Sequence, residues 1–362
     1  MKVYATDKLR NVALVGHQGA GKTSLVEALL FNTGAINRLG RVEEKTTVSD
    51  FEEDERERGL SLSTSLVPCE YNDFKVNILD CPGYTDFQGE AKNAIVAADA
   101  VAVVVDAVAG TEVGTEVVWN FAATYNRPLM AVINKLDREN ASYDKALDSL
   151  RAAFPDYKFV PVTLPLGQEH DFKGVVNVLT QKAYLEEGRQ TAAVPDDLAD
   201  VVEAARVALI EAAAETDDAL MEKYFETETL SPEEVREGIR KAATDPSLHT
   251  VPVFAVSATH NIGTIPLLEA FIDYAPSPET RAFTVLRDGE AVVMEGPQSD
   301  DGPLAAYVFK SSTDKFVGTL NYIRIFSGKM TSDTRYYNST KDAEERVGSL
   351  LVMRGKEQLP VD

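Results

Sequence analysis

The chain has 362 residues, enough for two or three domains, and its 44% hydrophobic and 26% charged content supports a core of ordinary size. Asp and Glu (58) outnumber Lys and Arg (36), giving a formal charge of −22 that excludes a surface broadly attractive to nucleic acid; a polyanionic partner would need a local patch. The two cysteines, Cys69 and Cys81, show no metal-ligand spacing and predict a reducing, cytoplasmic setting without a disulfide framework. Met1–Arg10 carries no apolar signal core, and the most apolar stretch, Ala94–Gly110, is interrupted by Asp99 and Asp106, so no membrane span is expected.

In chain order, Asn11–Val15 predicts a buried strand, followed by a helix over Lys22–Phe31 with Leu25, Ala28 and Leu29 on one face. Strands are expected at Lys75–Leu79, Val101–Val105, Leu129–Ile133 and Pro252–Val256, with helices at Gly89–Ala98, Glu112–Tyr125 and Tyr143–Ala153 between them. Continuous apolar runs alternating with helices predict an α/β parallel sheet covered on both faces. The gap from Ile133 to Pro252 is too long for one crossover and predicts an inserted α+β subdomain at about residues 160–250. It holds a strand at Val175–Leu179 and helices at Leu198–Thr216 and Pro232–Ala243. A helix at Ile265–Tyr274 precedes the linker Ala275-Pro276-Ser277-Pro278. Beyond it Leu304–Lys310, Gly318–Phe326 and Thr334–Asn338 alternate and are rich in aromatic and β-branched residues, so antiparallel β structure, a barrel, is expected. The chain reaches Asp362 before such a barrel would close. The predicted division is residues 1–280 and 281–362.

Gly16-His17-Gln18-Gly19-Ala20-Gly21-Lys22-Thr23 matches the phosphate-binding pattern G-x-x-x-x-G-K-[ST], directly after a strand and opening a helix. Its glycines let backbone N–H groups close around a polyphosphate, and the helix start adds positive potential. Lys22 would reach the β- and γ-phosphates, and the Thr23 hydroxyl would bind magnesium. Asp80-Cys81-Pro82-Gly83 ends a neighbouring strand, where Asp80 is expected to hold the ion through water and Gly83 to offer its N–H to the γ-phosphate. Asn134-Lys135-Leu136-Asp137 follows the next strand but one. The Asp137 carboxylate can accept from guanine N1–H and the 2-amino group, which adenine lacks; Asn134 would tether the loop and the Lys135 stem would pack on the base. Ser257-Ala258 would complete the base pocket with a backbone N–H. His17, His170, His249 and His260 show no metal spacing, so no metal but magnesium is expected. The expected cofactors are GTP or GDP and Mg2+.

With these motifs in this order, the chain resembles the translational GTPases, most closely the elongation factor G family. Val160–Gly167 with Phe172–Val176 resembles the entry to that family's inserted subdomain, and Ala306–Gly328 the start of its second, β-barrel domain. Composition alone makes Asp50–Leu62 a solvated charge run; the resemblance makes it a switch in which Ser61 of Arg58-Gly59-Leu60-Ser61 supplies a second hydroxyl to magnesium. The resemblance implies a monomeric factor that hydrolyses GTP on the ribosome, meeting rRNA and ribosomal proteins during translocation or a related step, and a chain corresponding to the family's N-terminal portion.

Three positions depart from the family pattern. Tyr84 stands where His usually orients the attacking water; a phenol still hydrogen-bonds but cannot become cationic. Gly19 replaces an Asp, and Ser61 a Thr whose hydroxyl it keeps. The departures suggest a divergent paralogue. Lys22, Gly83 and Tyr84 are the expected catalytic set. Two other readings stay open: a GTP-dependent ribosome-binding module that hardly hydrolyses, and a ribosome-protection factor of the same fold. Asp137 argues against an ATP-using enzyme.

Overall fold

A sheet can be covered by helices on both faces only if its strands are apolar throughout, and the central strands here meet that demand. The computed structural model describes residues 2–185, 188, 190–245, 247–287, 289–294, 302–314 and 318–359. β1 (Leu9–Val15) leads through a loop into α1 (Lys22–Asn32). The short helix α2 (Glu53–Arg58) precedes a hairpin of β2 (Ser65–Tyr71) and β3 (Phe74–Asp80). Then come α3 (Gln88–Ala97), β4 (Ala100–Asp106), α4 (Val113–Thr124), β5 (Leu129–Asn134), α5 (Tyr143–Ala153) and β6 (Lys158–Pro161). A four-stranded antiparallel sheet follows, built of β7 (Thr163–Leu166), β8 (Gly174–Asn177), β9 (Lys182–Leu185) and β10 (Gln190–Ala193). After it lie the helices α6 (Ala199–Ala214), α7 (Asp218–Thr227) and α8 (Pro232–Thr244). β11 (Thr250–Ala255) returns to the main sheet and α9 (Thr264–Tyr274) follows it.

The main sheet has seven strands in the order β2-β3-β1-β4-β5-β11-β6. β2 runs antiparallel to β3 and every other neighbouring pair is parallel. Each of the parallel strands expected from the sequence is present, four of them extended by a residue or two, while β11 starts two residues before the expected Pro252 and ends one short of Val256. The expected strands omit both edges. β2 carries Pro68 and Glu70, which an edge strand tolerates, and the four-residue β6 is too short to register as an apolar run. The stretch read as a charged switch loop contains α2, because Glu52 and Glu55 form a capping box and acidic residues precede basic ones along it. Trp119 of α4 is buried, stacked on Phe154 at 4.1 Å and edge-on to Tyr157 at 5.1 Å.

Four antiparallel hairpins make up the rest of the described chain. They pair β12 (Phe283–Arg287) with β13 (Glu290–Met294), β14 (Ala305–Asp314) with β15 (Gly318–Ser327), β16 (Arg335–Asn338) with β17 (Ala343–Arg346), and β18 (Val352–Arg354) with β19 (Glu357–Leu359). The antiparallel character expected here is present, and among the described residues the four ladders stay separate. This hairpin region is latched to the main-sheet side at Asp99, just past the end of α3. The fully buried Asp99 carboxylate takes Arg324 through both oxygens at 2.8 and 3.0 Å, Arg281 at 3.3 Å and the Asn11 amide at 2.7 Å. Both guanidinium groups also lie over the Phe326 ring, at 4.8 and 5.3 Å from its centre. Among the described residues no helix is long and apolar enough to cross a membrane.

Candidate functional site

The parallel strands end on a common rim, and each loop expected to carry chemistry leaves from it. Asp80 is the last residue of β3 and Asn134 the last of β5; the loop of Gly16–Gly21 joins β1 to α1. Three glycines of that loop, Gly16, Gly19 and Gly21, have positive φ, which opens the turn before the helix. The buried Lys22 amine donates to the carbonyls of Gly16 and His17 at 3.0 and 2.9 Å, spanning the loop from beneath. Ala20 is buried, while Gln18 and Gly19 are exposed. The His17 ring turns away from the loop: its Nδ1 accepts from Gly114 N–H at 3.1 Å and its Nε2 lies 3.4 Å from Glu112.

Two hydroxyls and two carboxylates converge beside Lys22. Thr23 Oγ1 donates to Asp80 Oδ2 at 2.9 Å and lies 3.2 Å from Ser61 Oγ, which donates to Asp50 Oδ1 at 2.7 Å. Asp50 is not among the residues the sequence singles out, because one more acid in a charged run carries no signal. The second oxygens, Asp80 Oδ1 and Asp50 Oδ2, are buried and have no hydrogen-bond partner among the described residues. Burial, with the Asp50 charge adding to it, outweighs the nearby Ser49 and Thr23 hydroxyls and pushes the Asp80 carboxyl up to about 7. Burial likewise pushes the Lys22 amine down to about 8, against the pull of Asp80. Orphaned buried carboxylate oxygens next to paired hydroxyls fit a hard divalent cation, which favours oxygen ligands and reverses such shifts. Among the described residues no group of three or more His, Cys, Asp or Glu offers an alternative metal position.

Gly83 lies against the phosphate loop so closely that a Cβ there would come within 2.7 Å of the Gln18 nitrogen and collide with the Lys22 amine. Only glycine permits that approach. Cys81 and Pro82 are buried behind it, and Cys81 N–H bonds the Leu14 carbonyl at 3.1 Å. Tyr84 points outward and is 39% exposed.

At the other end of the rim, Asn134 is buried and joins three loops. Its amide donates to the Ala20 carbonyl at 2.9 Å and its oxygen accepts from Ala258 N–H at 3.0 Å. Lys135, at a φ of +66°, places its amine 2.6 Å from Asp106 Oδ2, a partner the sequence does not flag. Leu136 is buried beneath the loop. Asp137 Oδ1 is buried without a partner among the described residues, and its other oxygen lies 3.5 Å from His260 Nε2. Ser257, fully buried, exchanges both backbone hydrogen bonds with Ile262 at 2.9 Å, fixing the last loop. Asn261 of that loop is tied to Asn32 of α1 by reciprocal amide bonds at 2.8 and 2.9 Å.

A phosphate loop opening a helix, an oxygen-lined ion position and an acidic base loop on one rim of a parallel sheet define a P-loop GTPase. Residues 7–277 match the family model of the elongation factor Tu GTP binding domain, and residues 303–362 that of elongation factor G domain 2. A crystal structure of a protein from Thermus thermophilus is similar at a TM-score of 0.85 and 35% identity. The match covers 98% of this chain and 51% of that one, so the chain spans about half the length of its relative. The chain belongs to the elongation factor Tu-type GTP-binding family, within the elongation factor G type of translational GTPases. Guanine nucleotide is therefore its ligand class.

Proposed function

We propose that this protein binds GTP with magnesium and hydrolyses it to GDP and phosphate, stimulated by the ribosome in translocation or a related step. The observation that carries the reading is a set of unpartnered buried carboxylate oxygens on one rim. Asp137 Oδ1 stands at the base end, and Asp80 Oδ1 with Asp50 Oδ2 at the ion end. Native structures rarely leave buried carboxylate oxygens unpaired unless a ligand completes them. Asp137 would accept from guanine N1–H and the 2-amino group, with Ala258 N–H free to meet the base carbonyl only if Asn134 yields its hold on it. Thr23 and Ser61 would hold magnesium through their hydroxyls, with Asp80 and Asp50 behind them. The ion, when bound, neutralises charge on the β- and γ-phosphates. Lys22 would exchange its two loop carbonyls for phosphate oxygens, and Gly83 would meet the γ-phosphate through its N–H. Residues 16–23 would wrap the phosphates, with the stem of Lys135 on the base.

Tyr84 favours a second reading, in which the protein takes GTP and occupies the ribosome with little hydrolysis. Its exposed phenol is available to a water or to a partner surface. Single-turnover cleavage of GTP with and without ribosomes separates the two. Stimulated cleavage that is lost in Tyr84→Phe is the expected result; no cleavage in either setting would leave only the binding module standing.

A further inference from the structure

The hairpin region touches the G-domain side at the very segment that carries Asp50 and Ser61. Lys310 of β14 is 8% exposed, and its amine donates to Ser63 Oγ at 2.9 Å and to the Thr64 carbonyl. Burial lowers its pKa, while the carboxylates of Glu90, Glu55 and Glu52 oppose that shift. Burying an ammonium on a flexible stem is costly in desolvation and rotamer entropy unless its protons are used. Here they are used on backbone and hydroxyl groups two and three residues past Ser61. Just past the same end of the segment, Gly355 in the β18–β19 turn, with a φ of +53°, donates its N–H to the Leu66 carbonyl at 3.0 Å. It sits so close to the Val48 carbonyl that any Cβ would collide with it. Arg354 reinforces this contact by donating to the Pro68 carbonyl at 3.3 Å. Ser65 Oγ closes the base of the loop on the Ser49 carbonyl at 2.6 Å. The hairpins thus bond the segment at its C-terminal end and just beyond, over residues 63 to 68, and pack against its start at Val48, while Glu55 holds Leu62 N–H and Ser63 N–H from within it and Glu90 of α3 holds Thr64 N–H, at 2.9 to 3.2 Å.

We propose that the hairpin region is a structural part of the ion site. Lys310 acts as a positioning residue that, with Gly355, holds Ser61 and Asp50 where a triphosphate-bound magnesium needs them. This rests on the nucleotide reading above. A diphosphate still has the phosphate loop, Lys22 and Thr23, whereas the triphosphate form calls on the Ser61 segment as well. The clamp therefore acts on the difference between the two nucleotides.

The test uses the 362-residue chain. Fluorescent GDP and a non-hydrolysable GTP analogue are titrated at fixed magnesium into the unmodified chain and into Lys310→Met, Lys310→Arg and Gly355→Ala. Lys310→Met should weaken the triphosphate about tenfold more than the diphosphate, the effect of losing a charge-assisted hydrogen bond. Lys310→Arg, which keeps a donor, should recover most of the difference, and Gly355→Ala should reproduce it from the other end. Trypsin cleavage after Arg56 and Arg58 in nucleotide-free protein supplies a readout independent of ligand, and should be several-fold faster in Lys310→Met. Equal weakening of both nucleotides, or folded variants with unchanged selectivity and unchanged cleavage, would overturn the clamp. Failure of the unmodified chain to bind either nucleotide would instead overturn the nucleotide reading, while the cleavage rates still decide the clamp.

Discussion

The two ends of the rim are built in different ways. At the base end, buried backbone and amide bonds already join the loops: Asn134 ties the phosphate loop to Ala258, and Ser257 locks to Ile262. These bonds all lie within the G domain. At the ion end the partners come from three separate stretches of chain, at Thr23, at residues 50 to 61 and at Asp80, and the hairpin region braces the second of them through Lys310. On the proposed reading, choice of base would rest on the sheet, whereas sensing of the third phosphate would depend on a segment that the hairpins hold. A site assembled this way would keep its specificity constant while its affinity for one nucleotide form is adjusted from afar.

Three substitutions probe that contrast. The largest effect is expected for Lys22→Ala, which on the proposed reading serves the β-phosphate common to both nucleotides as well as the γ-phosphate. Loss of two charge-assisted bonds, about 4 kcal/mol, should weaken GTP by on the order of 10³-fold, and loss of the β-phosphate bond should weaken GDP by at least about tenfold, in calorimetry. A loss confined to GTP would place Lys22 with the adjustable end instead. Asp137→Asn should reduce guanine nucleotide binding about 10²-fold and transfer preference to xanthine nucleotides, equally for di- and triphosphates. Competition between GDP and XDP measures it, and an unchanged preference would remove Asp137 from the base pocket. Asn134→Ala should cost about 1–2 kcal/mol, near tenfold in affinity for either nucleotide, together with a lower melting temperature, since it unties both loops at once. If that variant altered GTP binding alone, the separation of the two ends would fail.

The sheet is legible in the sequence because a parallel strand covered on both faces leaves an unbroken apolar run, as in Val101–Val105. β2 and β6 are hidden for the same reason, as edge strands need no such run. The residues expected at the rim do come together there, because motif spacing relative to a strand end fixes position within a residue or two. Asp106 and Asp50 are illegible: each is an ordinary acid until the fold sets it 2.6 Å from Lys135 or 2.7 Å from Ser61. Lys310 is equally silent, since contact between distant segments leaves no local pattern. α2 reads as loop when composition is weighed without the capping order Glu52…Glu55.

The latch at Asp99 has a mechanical consequence. With two guanidinium groups on a carboxylate that has no exposure, rotation of the hairpins about this point would strand a charge in the interior, at a cost of several kcal/mol. The point therefore behaves as a pivot welded to the far end of α3, whose near end follows Gly83 and Tyr84. Any tilt of that helix would be transmitted to the hairpins as torque, with α3 as the lever arm.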